Sequence, residues 1–239
     1  MAENQDEKHT DASHSESSLN EGIRLYRLKR WKLALKALLG VNTQRFSPEE
    51  NLELAYYLGL CYTKVARYEE ALLYLEQVVA AGNDPLRVYQ CRMALAYIYV
   101  VTKRTGMAEF ELKRLASNGF ESAQLYTTLA YSAWLQKHFQ LAIDYYEKAL
   151  DLDGNNATAL NGLGYILVDS GIDLRRGFRS CQKAVELKPH NPAYQDSLGW
   201  AYYKTGNTVE ARIWIRKALE AAPGEVEIQN HYSIVIREE

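Results

Sequence analysis

The chain has 239 residues and a formal net charge of −2, from 28 Lys+Arg against 30 Asp+Glu, with 47% apolar and 24% charged content. That balance belongs to an ordinary folded chain and excludes wholesale disorder. Tyrosine is over-used, 18 against 5 phenylalanines, while 14 glycines and 5 prolines are too few to punctuate many tight hairpins.

Residues 1–18 come first, with five acids, one Lys and no apolar period, a local charge of −4 that predicts a disordered acidic tail. The stretch has neither a basic n-region nor an apolar core, so a cytoplasmic site is expected, or a periplasmic one if a leader was removed. Without it the folded part is near neutral, which argues against nucleic acid as partner. The longest apolar runs, such as 94–101, are far short of the roughly 20 residues that span a bilayer. Cys61, Cys91 and Cys181 show no CxxC spacing and read as small buried hydrophobes, with no metal or disulfide implied.

From residue 18 onward the periodicity is helical. The last full segment shows it best: Asn191 and Pro192 open a helix as N-cap and first-turn residue, Gly206 stops it, and a second helix runs on to Pro223. Sliding this unit of about 34 residues along the chain recovers it repeatedly. With Leu198-Gly199 as repeat positions 7 and 8, the same pair recurs as Leu163-Gly164, Leu129-Ala130, Leu95-Ala96 and Leu58-Gly59. Repeats then start near 52, 89, 123, 157 and 192. Position 20 holds Ala71, Ala108, Ala142, Gly177 and Ala211, and position 27 holds Val78, Leu115, Ala149, Ala184 and Ala218. A degenerate first repeat starts near 18, with Gly22, Trp31, Ala34 and Leu38 in register, and one more helix fills 226–239.

This pattern resembles the tetratricopeptide repeat (TPR) family over residues 19–239. The resemblance implies an all-α, right-handed α-solenoid of about six helix-turn-helix repeats plus a terminal capping helix, and a non-catalytic scaffold for proteins or peptides, with no cofactor. It also implies that positions 2, 5, 9, 12 and 13 of each first helix line a concave groove. Position 9 then reads Tyr97, Tyr131, Tyr165 and Trp200 in successive repeats, a column of rings. Tyr56, Thr127, Asn161, Asp196 and Asn230 fall at position 5, and Trp134 and Tyr203 at position 12. Rings with polar tips, interleaved with amides and hydroxyls, suit an extended or helical peptide in a weakly charged groove. TPR members that clamp acidic carboxy-terminal tails carry cations at positions 2, 5, 6 and 9; none occurs here in the three repeats from 52.

No HExxH, GxxxxGK[ST] or GxGxxG motif occurs, so nothing in the sequence points to an enzyme. His138, His190 and His231 read as surface or cap residues. Arg175, Arg179 and Lys183, repeated by Arg212 and Arg216, mark a basic face that reads as solvated convex surface. The last helix is apolar on more than one side; one stripe must cover the preceding repeat, and Ile228, Ile234 and Val235 are candidates for a homodimer or partner contact.

Overall fold

The computed structural model describes residues 18–44 and 46–237. Of the expected acidic tail, residues 1–17 lie outside the described residues and Ser18 is the first residue of a helix; the last two residues, 238–239, also lie outside the described residues. The chain forms two compact units that divide between Phe120 and Glu121.

The N-terminal unit holds α1 (18–27), α2 (Trp31–Leu39), α3 (Pro48–Lys64), α4 (Tyr68–Ala81), α5 (Pro85–Val101) and α6 (Thr105–Ser117). The C-terminal unit holds α7 (Ala123–Leu135), α8 (Phe139–Leu152), α9 (Ala157–Asp169), α10 (Leu174–Leu187), α11 (Pro192–Lys204), α12 (Thr208–Ala221) and α13 (Val226–Val235). Within each unit a helix packs on the next in chain order. First helices also meet across one repeat, as in α3 with α5, α7 with α9, α9 with α11 and α11 with α13. This is the all-helical, solenoid-like pairing that the 34-residue period predicts.

Polar caps fix where the first helices begin. Ser47, Asp84, Ser122, Asn156 and Asn191 each accept from backbone N–H groups in the first turn of α3, α5, α7, α9 and α11. Ser47 forms a reciprocal capping box with Glu50. Helices α3 and α5 start at Pro48 and Pro85, four residues ahead of the repeat starts at Leu52 and Tyr89, so each carries an extra turn.

The small residues of the pattern sit where helices approach most closely. Ala71, Ala108, Ala142 and Ala211 at position 20 are fully buried, as are Ala149, Ala184 and Ala218 at position 27. A Cβ on Gly164 would lie 2.6 Å from Cys181 Sγ, and one on Gly199 would lie 2.5 Å from Ile215 Cγ1. The turn inside each repeat is left-handed at position 15 throughout: Lys29, Ala66, Lys103 and Lys137 have φ of 58°, 59°, 61° and 63°, and Gly171 and Gly206 have 71° and 86°. The sequence pattern asks for glycine there, yet four repeats hold a residue with a Cβ. All three cysteines are buried, and burial pushes each thiol up to about 12. They are inert core residues, as their positions suggest.

Candidate functional site

In the C-terminal unit the first helices α7, α9 and α11, together with the start of α13, enclose a cleft of about 420 Å³. Its floor is set by Gly162, whose missing side chain makes room for the Tyr146 ring: a Cβ there would lie 2.2 Å from Tyr146 Cζ. Tyr146 is buried, and desolvation raises its phenol above the usual range. On one wall Tyr131 stacks on Trp134 at 5.5 Å between centroids, and Trp134 meets Tyr165 edge-on at 6.1 Å. On the other, Thr158 Oγ1 and Tyr194 Oη share a hydrogen bond of 2.9 Å. Glu225 and Glu227 stand at the rim. Tyr165 donates to Glu227, and burial and that carboxylate together raise its phenol. Burial, then Glu227, raise that of Tyr131.

Two residues that line the cleft each carry a buried side-chain oxygen with no partner within the protein, Asn161 Oδ1 and Asp196 Oδ1. The other Asp196 oxygen, Oδ2, lies 2.8 Å from His231 Nδ1 on α13. His231 in turn stacks on Trp200 at 4.2 Å and touches Tyr165 at 6.0 Å. Trp200 donates its indole N–H to Asp169 Oδ1 at 3.0 Å, stacks on Tyr203 at 4.9 Å and has Lys204 Nζ above its ring.

The structure therefore brings together Tyr131, Trp134, Asn161, Tyr165 and Asp196 from the expected set. Tyr131 is 42% exposed, and Trp134 and Tyr165 are half-buried. Others belong elsewhere. Trp200 is only 6% exposed, because α13 lies across it, and it acts as core beneath the cleft. Thr127 is buried and its hydroxyl donates to Ala123 O within its own helix, so it offers nothing to a ligand. Tyr203 is half-buried against Trp200, and Asn230 is exposed on α13 outside the cleft lining. Tyr56 and Tyr97 lie in the N-terminal unit. Tyr56 is buried, bonded to Gln90 and covered by the Arg87 guanidinium at 5.4 Å, whereas Tyr97 is 48% exposed beside Tyr68.

His231, read from the sequence as a surface or cap residue, is buried at the centre of the aromatic stack. The signal for it was a register: Asp196 and His231 are 35 residues apart, one repeat period, so that an acid on one first helix faces a base on the next. The carboxylates Glu225 and Glu227 were not among the expected residues: Glu225 is the N-cap of α13, ahead of the counted positions, and Glu227 falls at its position 2, a groove position from which no residue was taken. With Asp196 they give the cleft three acids and, among the described residues, no Lys, Arg or His in its lining, so its weak charge is in fact negative.

On the terminal helix, Ile228 and Val235 are buried against α11 and α12 and are unavailable as contacts to another chain; Ile234 remains exposed, as does Ile236. The basic face is partly engaged in holding repeats together. Arg176 pairs with Glu147, Lys183 donates to Gly154 O, and Arg212 donates to Val235 O at the carboxyl end of α13. No helix among the described residues is long and apolar enough to cross a membrane.

Three tetratricopeptide repeat profiles match the chain, at residues 56–89, 123–156 and 174–226, together just over half of it. A TPR repeat-containing protein of Pseudomonas aeruginosa is 39% identical over 69 residues, covering 29% of this chain and 12% of that protein. The chain spans about a fifth or less of the curated relatives it matches. Among solved structures, a chain of the APC/C hetero-tetramer Cut9–Hcn1 superposes with a TM-score of 0.77 at 12% identity, covering 96% of this chain and 44% of that one. YrrB, described as a TPR protein with an unusual peptide-binding site, gives a TM-score of 0.53 at 18% identity over 78% of this chain and 94% of its own.

Proposed function

Because the chain belongs to the tetratricopeptide repeat family, whose domains mediate protein and peptide binding, we propose that it is a non-catalytic scaffold that holds a peptide segment in the cleft of its C-terminal unit. The observation that carries this reading is the pair of buried, unpartnered acceptors, Asn161 Oδ1 and Asp196 Oδ1, on residues that line the cleft together with the rings of Tyr131 and Trp134. A buried acceptor without a partner costs about 1 to 3 kcal/mol, and a ligand donor is what removes that cost. Rings supply contact area at small entropic cost, and extended peptide backbone supplies N–H groups at regular spacing. A likeness of fold to YrrB agrees with a peptide as ligand.

The test uses a phage-displayed library of random nonapeptides. Selection on the intact chain is expected to yield binders that Tyr131→Ala no longer holds, with its melting temperature within a few degrees of the parent. Failure to enrich any sequence, or binders that Tyr131→Ala holds equally well, would overturn the reading.

A further inference from the structure

We propose that the cleft selects a cationic side chain, arginine or lysine, of the bound peptide; this rests on the peptide-binding reading above and adds the chemistry of its central residue. The argument begins with what lines the cavity. Three carboxylates, Asp196, Glu225 and Glu227, face it with no cation of the protein among the described lining residues to neutralise them. An acidic cluster alone marks no site. Here one member, Asp196, is 96% buried, with one oxygen fixed by His231 and the other, Oδ1, unbonded. A carboxylate taken out of water requires hydrogen bonds on both oxygens, and a charged donor is the strongest available.

The aromatic lining points the same way. Tyr131 and Trp134 are stacked on each other, with an interplanar angle of 22°, and both line the cavity. Ring faces attract cations, and a guanidinium stacks on them while its edge remains free to donate. Asn161 Oδ1 supplies a second unbonded acceptor, this one on a neutral side chain. The cavity is thus lined by residues that carry unbonded acceptors, rings and carboxylates, and a volume of about 420 Å³ holds one long side chain with its flanking backbone. An acidic segment is disfavoured at every one of these surfaces, including the chain's own first 18 residues with their charge of −4.

Fluorescence polarisation on the full chain tests this with labelled nonapeptide pools, each capped at both ends, with Ala, Ser, Gly and Leu mixed in the flanks and Arg, Lys, Gln or Glu fixed at the centre. The Arg and Lys pools are expected to bind at least tenfold tighter than the Gln pool, and the Glu pool most weakly. Asp196→Asn should erase the preference. Since that variant disturbs the pair with His231, Glu227→Gln gives an independent reading: it keeps an acceptor for Tyr165, should leave the melting temperature unchanged and should reduce the Arg preference severalfold. Arg and Gln pools that bind equally, and are both lost on Tyr131→Ala, would overturn the cationic selectivity and leave the peptide cleft standing. A preference for Glu would overturn it as well. No binding by any pool would remove both.

Discussion

The same repeat positions are put to opposite uses in the two units. In the N-terminal unit, position 5 of α3 holds Tyr56, whose hydroxyl bonds the Gln90 side chain at position 2 of α5. Arg87 covers that ring and pairs with Glu53 at 2.9 Å, while Tyr57 and Tyr26 complete a cluster of rings beside it. The polar groups there bond one another. In the C-terminal unit, position 5 of α9 and α11 holds Asn161 and Asp196; Asp196 reaches α13 through His231, yet one side-chain oxygen of each residue remains unbonded. The difference teaches that position 5 closes on its neighbours where its one polar atom is taken, as in Tyr56, and keeps an unbonded acceptor where its side chain carries more polar atoms than the neighbours bond, as in Asn161 and Asp196.

The largest expected effect breaks the apparent equivalence of the position 9 column. Trp200 and Tyr97 occupy the same register, but α13 buries Trp200 to 6% exposure and Tyr97 stands at 48%. Trp200→Ala should cost about 3 to 5 kcal/mol, the range for removing a buried aromatic ring. Tyr97→Ala should stay within about 0.5 kcal/mol, as an exposed substitution does. Thermal unfolding of the two variants checks this. Equal and small shifts would mean that α13 does not cover Trp200, and would return the tryptophan to the groove.

What was legible in the sequence follows from this contrast. The Leu-Gly or Leu-Ala pair at positions 7 and 8 and the small residues at 20 and 27 are local requirements of close helix packing, so they repeat and can be counted; all of them proved buried where the period placed them. The rings at position 9 were legible for the same reason. Burial of Trp200 was not, since it depends on a helix that belongs to no complete repeat. Nor was the unpaired state of Asp196 Oδ1, which depends on what His231 takes and what no other residue offers. The need for Gly162 was not legible because it is not periodic; only the Tyr146 ring beside it shows why a side chain cannot be there.

A smaller effect sharpens the contrast between bonded and unbonded position 5. Tyr56→Phe removes a made hydrogen bond and should destabilise by about 1 kcal/mol. Asn161→Ala removes an acceptor that has no partner, so it should leave stability unchanged or raise it slightly, while weakening peptide capture. Denaturant titration together with peptide binding separates the two. An Asn161→Ala variant that loses stability by as much as Tyr56→Phe would show that the amide is already satisfied, and the two units would no longer differ.

The smallest effect concerns the turns, where the units differ in how left-handed backbone is accommodated. The N-terminal unit places Lys29, Ala66 and Lys103 at positive φ, whereas two of the three corresponding turns in the C-terminal unit use Gly171 and Gly206. A residue with a Cβ is disfavoured there by roughly 1 to 2 kcal/mol relative to a right-handed conformation. Glycine escapes that cost but loses more chain entropy on folding, by about 0.5 to 1 kcal/mol. Ala66→Gly should therefore stabilise the N-terminal unit by a net of about 0.5 to 1 kcal/mol, and Gly206→Ala should destabilise the C-terminal unit by a similar amount. Opposite shifts of melting temperature, each roughly 2 to 4 °C per kcal/mol for a chain of this size, are the expected result. Shifts of the same sign would mean that the two turns are not equivalent, and that Ala66 is held at φ of 59° by contacts which a glycine cannot replace.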